Sequence, residues 1–228
     1  MKYSFITALV SIYMMALATA TAQTEAVIPI RAQIAALSLD QTLDDLTYRQ
    51  GQSFEPLFIP NAAPSNAYDY EGPPTLYFYQ GSPVDLETTP PVASVQLPES
   101  GKFLLLFIPQ EKGTYRVTAL PNSATDFPEN SFRFFNLCDF AVAGALNDDK
   151  FKLEPRSQDV VSFEIGNRPK LTVQLATARD DNWKLVYRSK WDFTNGQRVN
   201  VFFVPDELQP SGIRIRRYYE LAPVEETE

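Results

Sequence analysis

The side chains able to do chemistry are few, and an absence decides most. The 228-residue chain contains no histidine. That removes Ser-His-Asp and Cys-His catalysis, histidine-ligated zinc, and imidazole titration between about pH 5 and 8. The single cysteine, Cys138, has no intramolecular disulfide partner and reads as a small apolar strand residue. Adjacent carboxylates occur as Asp44-Asp45, Asp148-Asp149 and Asp180-Asp181. None follows the calcium-loop spacing D-x-[DN]-x-[DN]-G, and neighbours in a strand point to opposite faces. The latter two pairs fall at expected hairpin tips, where Asp bonds to its own backbone. GxSxG, P-loop, GxGxxG and CxxC motifs are all missing. The expectation is therefore no catalytic residue, no cofactor and no metal. A histidine-free hydrolase with two distant carboxylates converging in a cleft is the catalytic alternative.

Binding chemistry has more candidates. Tyr68 and Tyr70 lie in PNAAPSNAYDYEGPP, Pro60 to Pro74, which reads as an exposed loop, and tyrosines on a stiffened loop give contact area at little entropic cost. Arg214, Arg216 and Arg217 form a cationic strip in IRIRRYYE, suited to carboxylates or an anionic polysaccharide, or to protecting an edge strand. In WKLVYRSKWD, alternation places Trp183, Leu185, Tyr187 and Trp191 on one face, the pattern of a sandwich core or of an aromatic platform.

The elements holding these residues read as short β-prone runs broken by Pro, Gly, Asn and Asp, with no convincing helical window. AQIAALSLDQTLDDL, where a helix competes, is read as strand because it leads into LTYRQ. Seven strands are expected before Leu120, the count and spacing of an immunoglobulin-like sandwich. FLLLFI, Phe103 to Ile108, is continuously apolar and should be central and covered on both faces. The second half reads as eight strands, ending in a meander through Thr194-Asn195-Gly196-Gln197, where Asn-Gly signals a hairpin. The fold expected is all-β, two packed immunoglobulin-like β-sandwich domains after a signal peptide. The divisions are a signal peptide over 1–22, domains over 23–122 and 127–222, and an acidic tail over 223–228.

The signal peptide rests on Lys2, an apolar run to Ala18 and the small residues Ala20-Thr21-Ala22. The run is shorter than the roughly 20 residues that cross a bilayer, so no transmembrane anchor is expected in the mature form. After cleavage 19 basic face 28 acidic side chains. That excess excludes nucleic acid, whose binding needs a basic field.

The run FPENSFRFFNLCDFAVAGAL, followed by NWKLVYRSKW and preceded by the Pro-rich loop before Leu76, resembles uncharacterised secreted two-domain β-sandwich proteins of Planctomycetes- and Verrucomicrobia-type bacteria. The resemblance covers most of the mature chain, implies fold and export, and carries over no functional residue. The Arg133 to Asn136 strand also resembles the periplasmic pilus chaperones, in two-domain architecture only. Together these readings point to a secreted or periplasmic, non-catalytic interaction or structural component of the cell envelope. Its partner would be an envelope protein or polysaccharide. A carbohydrate- or ligand-binding module using the tyrosines and arginines is the alternative.

Overall fold

The computed structural model describes residues 28–83, 85–86, 88–162, 170–179 and 182–221. The signal-peptide segment, Asp180-Asp181, the turn at 166–169 and the acidic tail lie outside them. Sixteen strands are present, together with one short 3-10 turn at Glu111–Gly113 and no α-helix among the described residues. The first eight are β1 (Ile30–Ser38), β2 (Leu43–Gln50), β3 (Ser53–Ile59), β4 (Tyr68–Gly72), β5 (Thr75–Gln80), β6 (Ala93–Gln96), β7 (Gly101–Pro109) and β8 (Tyr115–Pro121). The second eight are β9 (Ser131–Asn136), β10 (Val142–Leu146), β11 (Asp149–Leu153), β12 (Gln158–Ser162), β13 (Lys170–Arg179), β14 (Asn182–Asp192), β15 (Gln197–Pro205) and β16 (Ile213–Leu221).

They build four sheets of four. In the first half, β4-β1-β7-β8 faces β3-β2-β5-β6; in the second, β12-β9-β15-β16 faces β11-β10-β13-β14. The protein is thus all-β, in two packed sandwiches. Adding eight to each strand number turns the first half's sheet orders into the second's, so one topology occurs twice. Both copies share the parallel pairings, β1 with β7 and β9 with β15. The equivalence extends to single hydrogen bonds. Leu39 N–H donates to the Phe107 carbonyl at 3.0 Å, and Leu137 N–H to the Phe203 carbonyl at 2.9 Å. Ser38 Oγ and Asn136 Oδ1 each accept from the N–H two residues on.

Alternation along the strands fills three cores. Phe103, Leu105 and Phe107 enter the first sandwich, and Phe132, Phe134, Val201 and Phe203 the second. The opposite faces of the same strands meet between the sandwiches, where Leu37, Leu104, Leu106 and Leu120 pack on Phe135, Phe202 and Tyr218. Phe135 and Phe202 stack with centroids 4.6 Å apart. FLLLFI is apolar on both faces for this reason: one face is core and the other is interface.

Three details differ from the sequence reading. The first half has eight strands, because Tyr68–Gly72 lies in an edge strand paired with β1 where an exposed loop was expected. The turn at Asn195-Gly196, with Gly196 at φ 81°, joins strands of opposite sheets, so it carries a crossover and no hairpin. Trp183 and Leu185 are not on the face of Tyr187 and Trp191, because the register shifts between Leu175 and Ala176. The turn after Leu146 is as read, with Leu146 opposite Asp149 and Asn147 at φ 53°, a conformation Asn tolerates.

Candidate functional site

The tyrosines of Y-D-Y-E-G share one face of β4, alternating with the acids on the other. Tyr70 is buried, its hydroxyl donating to the Pro73 carbonyl at 2.7 Å, and Gly72 leaves room for that ring. Tyr68 is half-buried against the first core, its hydroxyl bonded to the Phe58 backbone. Both pack edge-on to Tyr48. Burial raises the Tyr70 pKa, and it raises that of Tyr48 to about 12, with Glu55, Tyr68 and Asp69 adding to the effect. Asp69 and Glu71 face outward to Gln33 and Arg31. The pair therefore closes the first core.

The arginine strip splits by strand alternation. Arg214 pairs with Asp206 at 3.8 Å, and Arg216 reaches the Tyr218 hydroxyl at 3.4 Å on the same side of β16. Arg217, on the other side, lies over the Trp191 ring at 4.6 Å and near Tyr219. These cations are engaged with their own fold, and Arg214 and Arg217 border a different cavity from Tyr70.

A more open surface lies on the outer face of β11-β10-β13-β14. Residues directly opposite in a sheet share a face. Tyr187, Ser189 and Trp191 oppose the buried Leu175, Val173 and Leu171. A bulge then shifts the register, so Leu185 opposes Ala176 and Trp183 opposes Ala178, both on the outer face. The bulge thus re-aims two large side chains into solvent, a common role of bulges. Trp183 is 48% exposed and Leu185 56%, whereas Trp191 is 1%. Beside them the face carries a row of small residues, Ala143, Ala145, Ala176 and Ala178. Lys150 opposes Ala145, Arg188 opposes Gln174 and Lys190 opposes Thr172, which puts three exposed cations on that face. The neighbouring Lys152 and Lys170 already pair with Glu154 and Asp192.

A third cluster holds the junction between the sandwiches. Phe127 is fully buried, with the Arg133 guanidinium 4.3 Å from its ring centroid and that of Arg198 at 4.8 Å. Arg133 donates to the Pro121 carbonyl (2.6 Å), Asn122 Oδ1 (2.9 Å) and Asn200 Oδ1 (2.9 Å). Arg198 donates to the Phe127 carbonyl (2.8 Å) and Glu220 (3.1 Å), while its Nε is buried without a partner. Desolvation lowers the Arg133 pKa to about 10, opposed by Glu220 and reinforced by Arg198. The group is charged at neutral pH. Two guanidiniums and one carboxylate form a clamp on the linker, and no motif in the sequence marks it.

Cys138 is fully buried, its thiol directed at the Phe203 carbonyl at 3.6 Å. Among the described residues no three His, Cys, Asp or Glu side chains gather as a metal set, and no helix is long and apolar enough to cross a membrane. No protein-family model and no curated protein sequence matches the chain.

Proposed function

We propose that this protein is an exported, non-catalytic component of the cell envelope that binds an anionic polysaccharide on the outer face of its second sandwich. The observation carrying this reading is the bulge-presented Trp183 and Leu185 beside a row of alanines flanked by Lys150, Arg188 and Lys190. A row of small side chains leaves room for a sugar chain, an exposed indole stacks on a ring face, and the cations meet carboxylates or sulfates. Charge distribution supports it. Residues 23–122 carry 5 basic against 11 acidic side chains, whereas residues 127–222 carry 14 against 13. The cations of an acidic protein are thus concentrated on the half that bears the platform. The two-sandwich body is the scaffold, and export is the reading of its first 22 residues.

Affinity electrophoresis through gels containing polygalacturonate or neutral dextran tests it. Retardation is expected with polygalacturonate alone, weakening with salt and lost in Trp183→Ala and Arg188→Glu. Equal mobility in both gels, or retardation unchanged in the variants, refutes the reading.

A further inference from the structure

We propose that the cleft between the two sandwiches binds an amphipathic carboxylate, an apolar chain with one anionic head. Where β8 runs out beyond the interface, its inner-facing residues pass from Leu120, buried, to Thr118 and Arg116, exposed. A cavity of about 400 Å³ opens there, floored by Leu106, Ile108, Leu120, Phe135 and Leu137. That volume is within the range of small-molecule sites, which favour domain boundaries. Arg116 borders it from the first sandwich and Arg156 from the second, and no carboxylate lines it. Of the acids nearest Arg156 in sequence, Glu154 pairs with Lys152 and Asp159 accepts from the Val160 N–H through one oxygen; neither lines the cavity.

One feature marks the Arg116 charge as unanswered, and another marks the placement of Arg156. The first comes from the internal repeat. Arg116 opposes Ile108 on β7, and Arg214 opposes Val204 on β15, at the same step of the same hairpin. The residue after β15 is Asp206, whose N–H bonds across the loop to Gly212 and whose carboxylate pairs with Arg214. At the equivalent position the first sandwich has Gln110, bonded across its loop to Thr114. One copy supplies a counter-ion from its own chain; the other leaves that place to a ligand.

The second is backbone strain. In the turn from Glu154 to Ser157, Arg156 follows Pro155 with φ 58°, where Gly or Asn sits with little penalty. A long cationic side chain in that conformation carries a local backbone cost, and this turn sets it at the mouth of the cavity. The apolar floor selects a ligand with a hydrocarbon body, and the two guanidiniums select a carboxylate head.

Isothermal titration of the full chain with octanoate, octan-1-ol and octylamine tests this. Octanoate should bind at least about tenfold tighter than the alcohol or the amine, a ratio expected of one charge-assisted contact. Two variants separate the site from general stickiness. Arg156→Gly relieves the positive φ, so its urea midpoint should hold or rise while octanoate affinity falls about tenfold. Gln110→Asp leaves the cleft arginines in place and supplies Arg116 with an internal counter-ion, and it should weaken octanoate alone. Alcohol binding as tight as octanoate, no octanoate binding, or wild-type affinity in both variants overturns the proposal.

Discussion

Glu220→Gln is the most informative perturbation of the interdomain clamp. The wild-type cluster holds two buried guanidiniums against one carboxylate, and Glu220 accepts from Arg198 at 3.1 Å and from Asn200 at 2.9 Å. Gln keeps the shape but removes the only negative charge in the bonded set, leaving two cations facing one phenyl ring. Breaking a buried pair from one side costs about 3–5 kcal/mol. Glu220 retains some contact with water, its side chain being 17% exposed. About 3 kcal/mol is therefore expected. Arg198→Met acts oppositely on the charge count, leaving one cation and one carboxylate. It strips the Phe127 carbonyl of its donor, a loss of about 1–3 kcal/mol that removing the orphaned Nε offsets by a similar amount. Glu220 loses Arg198 but stays bonded to Asn200 and, through it, linked to the remaining cation Arg133. About 1 kcal/mol is expected. The assay is urea denaturation followed by far-UV circular dichroism, which reports both sandwiches, and by tryptophan fluorescence. Both tryptophans, Trp183 and Trp191, lie in the second sandwich. The transitions should coincide in the wild type and separate in Glu220→Gln. The reasoning is refuted if Glu220→Gln is within about 0.5 kcal/mol of wild type, or if Arg198→Met is the more damaging.

The re-aimed strand predicts that iodide quenches Trp183 and spares Trp191. Trp183→Ala should leave stability within about 0.5 kcal/mol, while Trp191→Ala costs about 3–5 kcal/mol; equal quenching of the two indoles contradicts the bulge. The Tyr48 pKa is raised to about 12 from 10. Between those values the unfolded chain gives up the proton first, so the stability Tyr48 contributes below pH 10 is lost as pH rises toward 12. Tyr48→Phe should flatten the fall in urea midpoint over that window, and an unchanged slope would count against the burial assigned to the ring. Cys138 should react with a thiol reagent only as fast as the chain unfolds, so labelling in native buffer at the rate of a free thiol would contradict its burial.

The fold was legible where one periodicity governed a whole element. FLLLFI announced a strand covered on both faces, and Phe132 and Phe134 announced a core face. The strand Y-D-Y-E-G has the same alternation but is flanked by prolines, so turn chemistry hid a period-two signal only five residues long. The platform was illegible for a different reason. Reading WKLVYRSKWD at period two assigns Trp183 to the core with Trp191, and one bulged residue reverses that for everything before it. The clamp is a long-range constellation. Arg198 and Phe127 are 71 residues apart, and neither carries a local mark of burial. Reading Tyr68 and Tyr70 as loop contact residues misses the packing that Tyr48 and Gly72 provide, because Tyr48 is distant from that strand's own pattern and Gly72 is too small to signal it.

The repeat explains why the interface is dry on one side and polar on the other. Ser38 opposite Phe107 corresponds to Asn136 opposite Phe203. Counting back along the paired strands matches Leu37 with Phe135, Leu106 with Phe202, Ala35 with Arg133 and Leu104 with Asn200. The first two equivalences are apolar in both copies and form the stacked centre of the interface. The last two are apolar only in the first copy; in the second they supply half the clamp. Apolar contact alone favours many alignments of two sheet faces, whereas a buried guanidinium bonded to Pro121, Asn122 and Asn200 is satisfied in one. The second copy has polar side chains at those two positions, and Arg133 bonds the linker between the copies. With that angle held, the cleft beside Arg116 keeps a constant width, and the outer platform stands at the far end of a four-layer stack. Rigidity at the seam is thus what the proposed cleft site requires of the fold, whereas the proposed platform lies within one sheet.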